Sequence, residues 1–104
     1  MEKLINYIKE TYDHDELENI VDNGCVSGAA NRHIYYVDTV KFYEEFEEQI
    51  WELINNYADA QGISCLQFIV SLNGNVTCDA HFKNLLCWFA IEDIAFKLIE
   101  GEIK

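Results

Sequence analysis

The sequence predicts a mainly α protein, a compact helical domain around a hydrophobic C-terminal helix. Three observations predict it. Apolar residues recur at helical spacing in the first dozen residues, from residue 38 to about 60, and again from Phe82 to Ile99, and a period near 3.6 is what one buried helix face requires. Proline is absent and only five glycines are present, which leaves little room for a dense series of β-turns. Half of the residues are hydrophobic, with six Tyr, six Phe and two Trp among them, so the chain can bury enough apolar surface to offset its ordering entropy despite its charge. At 104 residues a single acidic helical domain spanning residues 1–104 is expected.

Leu4, Ile5, Ile8 and Tyr12 form the apolar face of a first short helix, with Lys3, Asn6, Lys9 and Glu10 on the other side and an end near Tyr12. Asp13 or Asp15 can cap a second helix, Glu16 to Asp22, with Leu17, Ile20 and Val21 inward and Asn23-Gly24 as its stop. From Cys25 to Val37 periodicity is lost. The small Ser27-Gly28-Ala29-Ala30 and the β-branched and aromatic Ile34-Tyr35-Tyr36-Val37 read as a loop with room for a short strand.

Asp38 or Thr39 then caps a long helix reaching about Ala60, with Gly62 as its stop. Phe42, Phe46, Ile50, Leu53 and Tyr57 share one stripe, and Glu44, Glu45, Glu47, Glu48 and Glu52 occupy the remaining arc. Ser64 to Leu72 is read as a short helix opened by a Ser64–Gln67 capping box. The competing reading is a hairpin that turns at Asn73-Gly74-Asn75 and pairs Leu66–Ser71 with Asn75–Cys78. Thr77 or Asp79 opens the last helix, which runs to about Glu100 and is apolar nearly all round, as a central helix is.

Charge is the strongest functional clue. Nineteen acidic residues face seven basic ones, for a formal charge of -12. Glu10, Asp13, Asp15, Glu16, Glu18 and Asp22 follow one another with no Lys or Arg between them, and none occurs between Lys41 and Lys83. Such a surface repels nucleic acid and anionic membranes, but it attracts a basic groove on another protein, where carboxylates stand in for phosphates. Like charges at i, i+4 such as Glu44, Glu48 and Glu52 cost a few tenths of a kcal/mol per pair, a cost that solubility alone does not require.

The beginning of the chain has no basic stretch followed by an apolar one, and no apolar run is long enough to span a bilayer, so a soluble cytoplasmic protein is expected. Cys25, Cys65, Cys78 and Cys87 are read as reduced and mostly buried thiols. Cys78 and His81 form a C-x-x-H fragment to which Cys25, His14 or His33 would have to converge for zinc, whereas structural sites show two closely spaced ligand pairs; no metal and no cofactor are expected. Cys25 with His33 or His81 could be drawn as a nucleophile and base, a pairing that almost any chain with these residue types permits. Asn23-Gly24-Cys25-Val26-Ser27-Gly28 has two glycines but neither the lysine nor the preceding strand of a phosphate loop. Asp93 lies about 40° from Phe89 around the last helix, so it or Glu92 is expected to be partly buried, paired with Arg32, the only arginine, or with backbone N–H groups of residues 24–28. No catalytic residue is assigned.

The pattern of acidic helices resembles small acidic proteins encoded by bacteriophages and mobile elements, including DNA-mimic anti-restriction and anti-CRISPR proteins. Asn23-Gly24-Cys25-Val26-Ser27-Gly28, the stretch Ile34 to Tyr43, and Leu85 to Glu92 also resemble a phage family of uncharacterised small domains. The resemblance implies a non-enzymatic inhibitor of a bacterial defence complex, a CRISPR effector or a restriction enzyme, acting in the host cytoplasm on a basic nucleic-acid-binding protein. On the charge pattern, not the resemblance, Glu44, Glu45, Glu47, Glu48 and Glu52 would be the principal contacts, with Asp13, Asp15, Glu16 and Glu18 secondary. The alternative is an interaction or oligomerisation module, a homodimer included, that uses Tyr35, Tyr36, Tyr43 and Trp51, with the acids serving solubility. A third reading is a small enzyme using Cys25 or Glu92 and Asp93.

Overall fold

Four α-helices hold most of the residues that a computed structural model of the chain describes, namely 1–24, 38–64, 67–68 and 79–103, with side chains of the last helix from residue 82 onward. They are α1 (Glu2–Thr11), α2 (His14–Asn23), α3 (Thr39–Gln61) and α4 (Asp79–Ile99). No strand occurs among the described residues, and the protein is mainly α, as the apolar spacing predicts. None of the helices is long and apolar enough to cross a membrane. The loop reading of residues 25–37, the continuation of the Ser64 helix and the competing hairpin lie outside the described residues.

The helix ends follow local chemistry. Tyr12 turns extended and ends α1, as its sequence position suggests. α2 starts at His14 rather than at Glu16, because Asp13 and not Asp15 is the cap. The Asp13 carboxylate accepts the Glu16 N–H at 2.8 Å while Glu16 Oε1 accepts the Asp13 N–H at 3.1 Å, a capping box that satisfies two orphan donors and contributes about 1 kcal/mol. Asp38 caps α3 through the Lys41 N–H. Gly62 ends α3 at φ 69, ψ 28, a left-handed conformation that a Cβ would strain; the Ile63 N–H reaches Ala58 O at 3.0 Å and the Gly62 N–H reaches Asp59 O at 3.1 Å, the two bonds of a Schellman stop. Gly101 closes α4 in the same way, with Glu102 N–H on Lys97 O at 2.9 Å. The capping box expected at Ser64 is present in both directions, at 2.9 and 3.1 Å, and the Phe68 N–H bonds to Ser64 O.

The chain divides into two compact units. One contains α1, α2 and the second half of α4, from Trp88 onward. Its buried side chains include Leu4, Ile8, Leu17, Ile20, Trp88 and Ile91. The other contains α3, Phe68 and the first half of α4. There Phe42, Phe46, Ile50, Leu53, Ile54 and Ala58 are buried, with the Phe42 and Phe46 rings 5.0 Å apart and the Phe68 ring edge-on to Tyr57 at 5.4 Å. Tyr57 follows the apolar stripe by spacing but stays 38% exposed, and Ile54 and Ala58 carry the burial instead. In α4 the four consecutive residues Leu85, Leu86, Cys87 and Trp88 are all buried, and four successive residues point all round a helix, so this stretch is covered on every side. Phe96 departs from that pattern at 47% exposure.

The start of α3 is clasped by α4 within the second unit. Asn84 Nδ2 donates to Thr39 Oγ1 at 3.3 Å, and the Cys87 thiol donates to the Thr39 carbonyl at 3.6 Å. Two turns further on, α3 is kinked at the buried Phe46, whose φ -117, ψ 18 leaves the helical region. Neither proline nor glycine stands there.

Candidate functional site

The residues expected to meet a partner stand on α3. Glu44, Glu45, Glu47, Glu48 and Glu52 are all exposed, because the helix turns its apolar stripe inward and leaves them on the outer arc. At about 100° per residue Glu44, Glu45, Glu48 and Glu52 span an arc of about 100°, opposite Phe46, Ile50 and Leu53. The Phe46 kink divides this ridge, with Glu44 and Glu45 before it and Glu47, Glu48 and Glu52 after it. Among the described residues Glu44, Glu48 and Glu52 have no hydrogen-bond or ion-pair partner.

Glu47 lies at the flank of the ridge beside an aromatic group. The Trp51 indole N–H donates to Tyr43 Oη at 3.2 Å, and Tyr43 O–H donates to Glu47 Oε1 at 3.4 Å. The Lys83 ammonium stands 5.2 Å from the centre of the Tyr43 ring, within the range of a cation–π contact. Tyr43, Trp51 and Lys83 are half-buried. The i, i+4, i+8 spacing of Tyr43, Glu47 and Trp51 was legible in the sequence; the lysine that comes to the ring from another helix was not.

The secondary acidic group is spread differently. Asp13 and Glu16 are engaged in the capping box, Glu18 Oε1 lies 2.8 Å from His14 Nε2, and Asp15 is exposed in the first turn of α2. Three of these four carboxylates therefore carry local structural contacts, and acids in the first turn also suit the positive end of the helix dipole.

A family model described as a domain of unknown function, DUF7222, matches residues 1–103. The chain belongs to this family. No curated protein and no solved structure matches it.

The other chemistry-bearing residues of this DUF7222 chain lie mostly outside the described residues. That holds for Cys25, Cys65, Cys78, Arg32, His33, Tyr35 and Tyr36, and for the His81 side chain. Among the described residues no three His, Cys, Asp or Glu side chains gather as metal ligands. The partly buried carboxylate of α4 is found where expected, with the Asp93 side chain 19% exposed and the Lys97 ammonium, one turn on, 2.8 Å away; Arg32 and residues 25–28, the partners expected from the sequence, lie outside the described residues. An acid four residues before a lysine is the favourable orientation on a helix, and the nearby ammonium charge offsets part of the cost of burying Asp93 Oδ2, which makes the ion pair but no hydrogen bond among the described residues.

Cys87 is wholly buried, and burial pushes its thiol from 9.0 up to about 12, against a smaller opposing effect of a backbone hydrogen bond. The protonated form is the one that can donate to Thr39. Since the folded pKa is the raised one, an unfolded chain ionises at Cys87 first, and stability is lost as pH rises from about 9 to about 12. The native domain is expected to alkylate far more slowly at Cys87 with iodoacetamide near pH 8 than the denatured chain does. Mass spectrometry of the Cys87 peptide measures this, and equal rates in the two states would show the thiol to be accessible.

Proposed function

We propose that the domain is a non-enzymatic phage anti-defence inhibitor that seats the acidic face of α3 in the basic nucleic-acid-binding surface of a bacterial defence complex, a CRISPR effector or a restriction enzyme. One observation carries this reading. Five glutamates stand exposed on a single helix, in a stretch with no lysine or arginine between Lys41 and Lys83. A row of fixed carboxylates presents to a basic groove what a phosphate backbone presents, and its attraction acts over about a Debye length, 8 Å at physiological salt. Asp13, Asp15, Glu16 and Glu18 are a secondary contact. The protein would act in the host cytoplasm, on a protein rather than on nucleic acid or membrane.

The test is capture of a partner from a bacterial lysate that contains defence complexes, with the tagged full chain as bait. A nucleic-acid-binding complex is expected at low salt, released by high salt and by added DNA or RNA. A partner that resists both washes would overturn this reading and favour the aromatic surface at Tyr43 and Trp51.

A further inference from the structure

The bend at Phe46 has no cause in the local sequence. Sharp kinks ordinarily sit at proline, at glycine or serine, or where something enters the hydrogen-bond ladder, whereas this one sits at a buried phenylalanine between Glu45 and Glu47. A side-chain bond links the two sides of it. Tyr43 lies before the bend and Trp51 after it, and the Trp51 indole N–H reaches Tyr43 Oη at 3.2 Å. In a straight helix two residues eight apart are separated by about 12 Å along the axis and about 80° around it. Helical side chains lean toward the N-terminus, so Trp51 reaches back past Glu47 while the phenol must swing forward to meet it.

The two halves of α3 are held by different contacts. The first half is fastened to α4 by Asn84 and Cys87 on Thr39 and by Lys83 over the Tyr43 ring, among other contacts. The second half is held by its own buried side chains, Ile50, Leu53, Ile54 and Ala58, and it also joins the fastened group through the Trp51 indole and, more weakly at 3.4 Å, through Glu47.

We infer that Tyr43 is a positioning residue: its hydroxyl, bonded to Trp51 across the Phe46 bend, sets the angle between the two halves of α3 and so the direction of Glu44 and Glu45 relative to Glu48 and Glu52. The bend stands independently of the proposed function; its effect on binding rests on that reading. A groove that recognises regularly spaced anions requires both parts of the ridge to face it together, and the phenol oxygen is the atom through which that alignment is kept.

Tyr43→Phe removes this oxygen and retains the ring and its contact with Lys83. In NMR spectra of the full chain, the Trp51 indole N–H resonance is expected to move and to exchange faster with solvent, while the Trp88 indole stays in place and reports that the fold is intact. Residual dipolar couplings of residues 39–45 are expected to reorient relative to those of 47–61. Trp51→Phe, which removes the donor from the other side, is expected to produce the same reorientation. Couplings that superimpose on those of the wild type would overturn the inference, as would a change in Tyr43→Phe that Trp51→Phe fails to reproduce. With the captured partner, both variants are expected to bind more weakly with an unchanged steepness of salt dependence. Salt-insensitive binding of the wild-type chain would instead defeat the acidic-face reading and leave the bend untouched.

Discussion

Replacing three glutamates at once, Glu44→Lys, Glu48→Lys and Glu52→Lys, is expected to abolish binding to a basic nucleic-acid-binding partner and to leave the fold in place. The three side chains are exposed on successive turns of α3, without a hydrogen-bond or ion-pair partner among the described residues. Lysine and glutamate have nearly equal helix propensity, and exposed substitutions of this kind change stability by about 0.5 kcal/mol or less each. Each exchange also moves the formal charge of -12 two units toward zero. Binding answers differently. Like charges brought together at an interface cost several kcal/mol, and about 2.8 kcal/mol corresponds to about a hundredfold in affinity. Titration of the partner at fixed low salt measures the loss, with circular dichroism as the control for folding. Unchanged affinity would mean that the carboxylates serve solubility.

The largest effect on stability is expected from Trp88→Ala. Trp88 is 1% exposed, and a close-packed interior has little freedom to close a cavity of indole size. Substitutions of this class cost about 3–5 kcal/mol, a large part of the about 5–15 kcal/mol that holds a small domain folded. The variant is expected to unfold at a far lower denaturant concentration than the wild type. Phe96→Ala is the matched control on the same helix: at 47% exposure it removes a large aromatic ring and is expected to cost much less. Equal losses for the two variants would contradict the burial pattern of α4.

Most of the helical framework was legible because it rests on short-range rules. The i, i+3, i+4 spacing placed α1, α3 and α4, Asp38 and Gly62 gave the ends of α3, and the turning of Phe42, Phe46 and Ile50 inward put the glutamates outside. The start of α2 was ambiguous between two aspartates two residues apart, although the Asp13-x-x-Glu16 pattern contains the reciprocal pair that decides it. Lys97 was equally visible as an i+4 partner for Asp93, while Arg32, the only arginine, lies outside the described residues. The kink at Phe46 and the Lys83–Tyr43 contact were not legible. The contact depends on what another helix brings to α3 and the kink on the backbone angles of one residue, and periodicity within one segment carries neither. The exposure of Phe96 was hidden for the opposite reason: on a helix that is apolar nearly all round, composition does not say which side is left uncovered.

Competition on the purified partner tests docking of the acidic face most directly. Labelled nucleic acid is first bound to the captured complex, and the domain is then titrated in while fluorescence anisotropy follows the label. Docking in the nucleic-acid surface predicts complete displacement, at domain concentrations that rise steeply with salt. A label that stays bound at saturating domain, in a ternary complex, would contradict it.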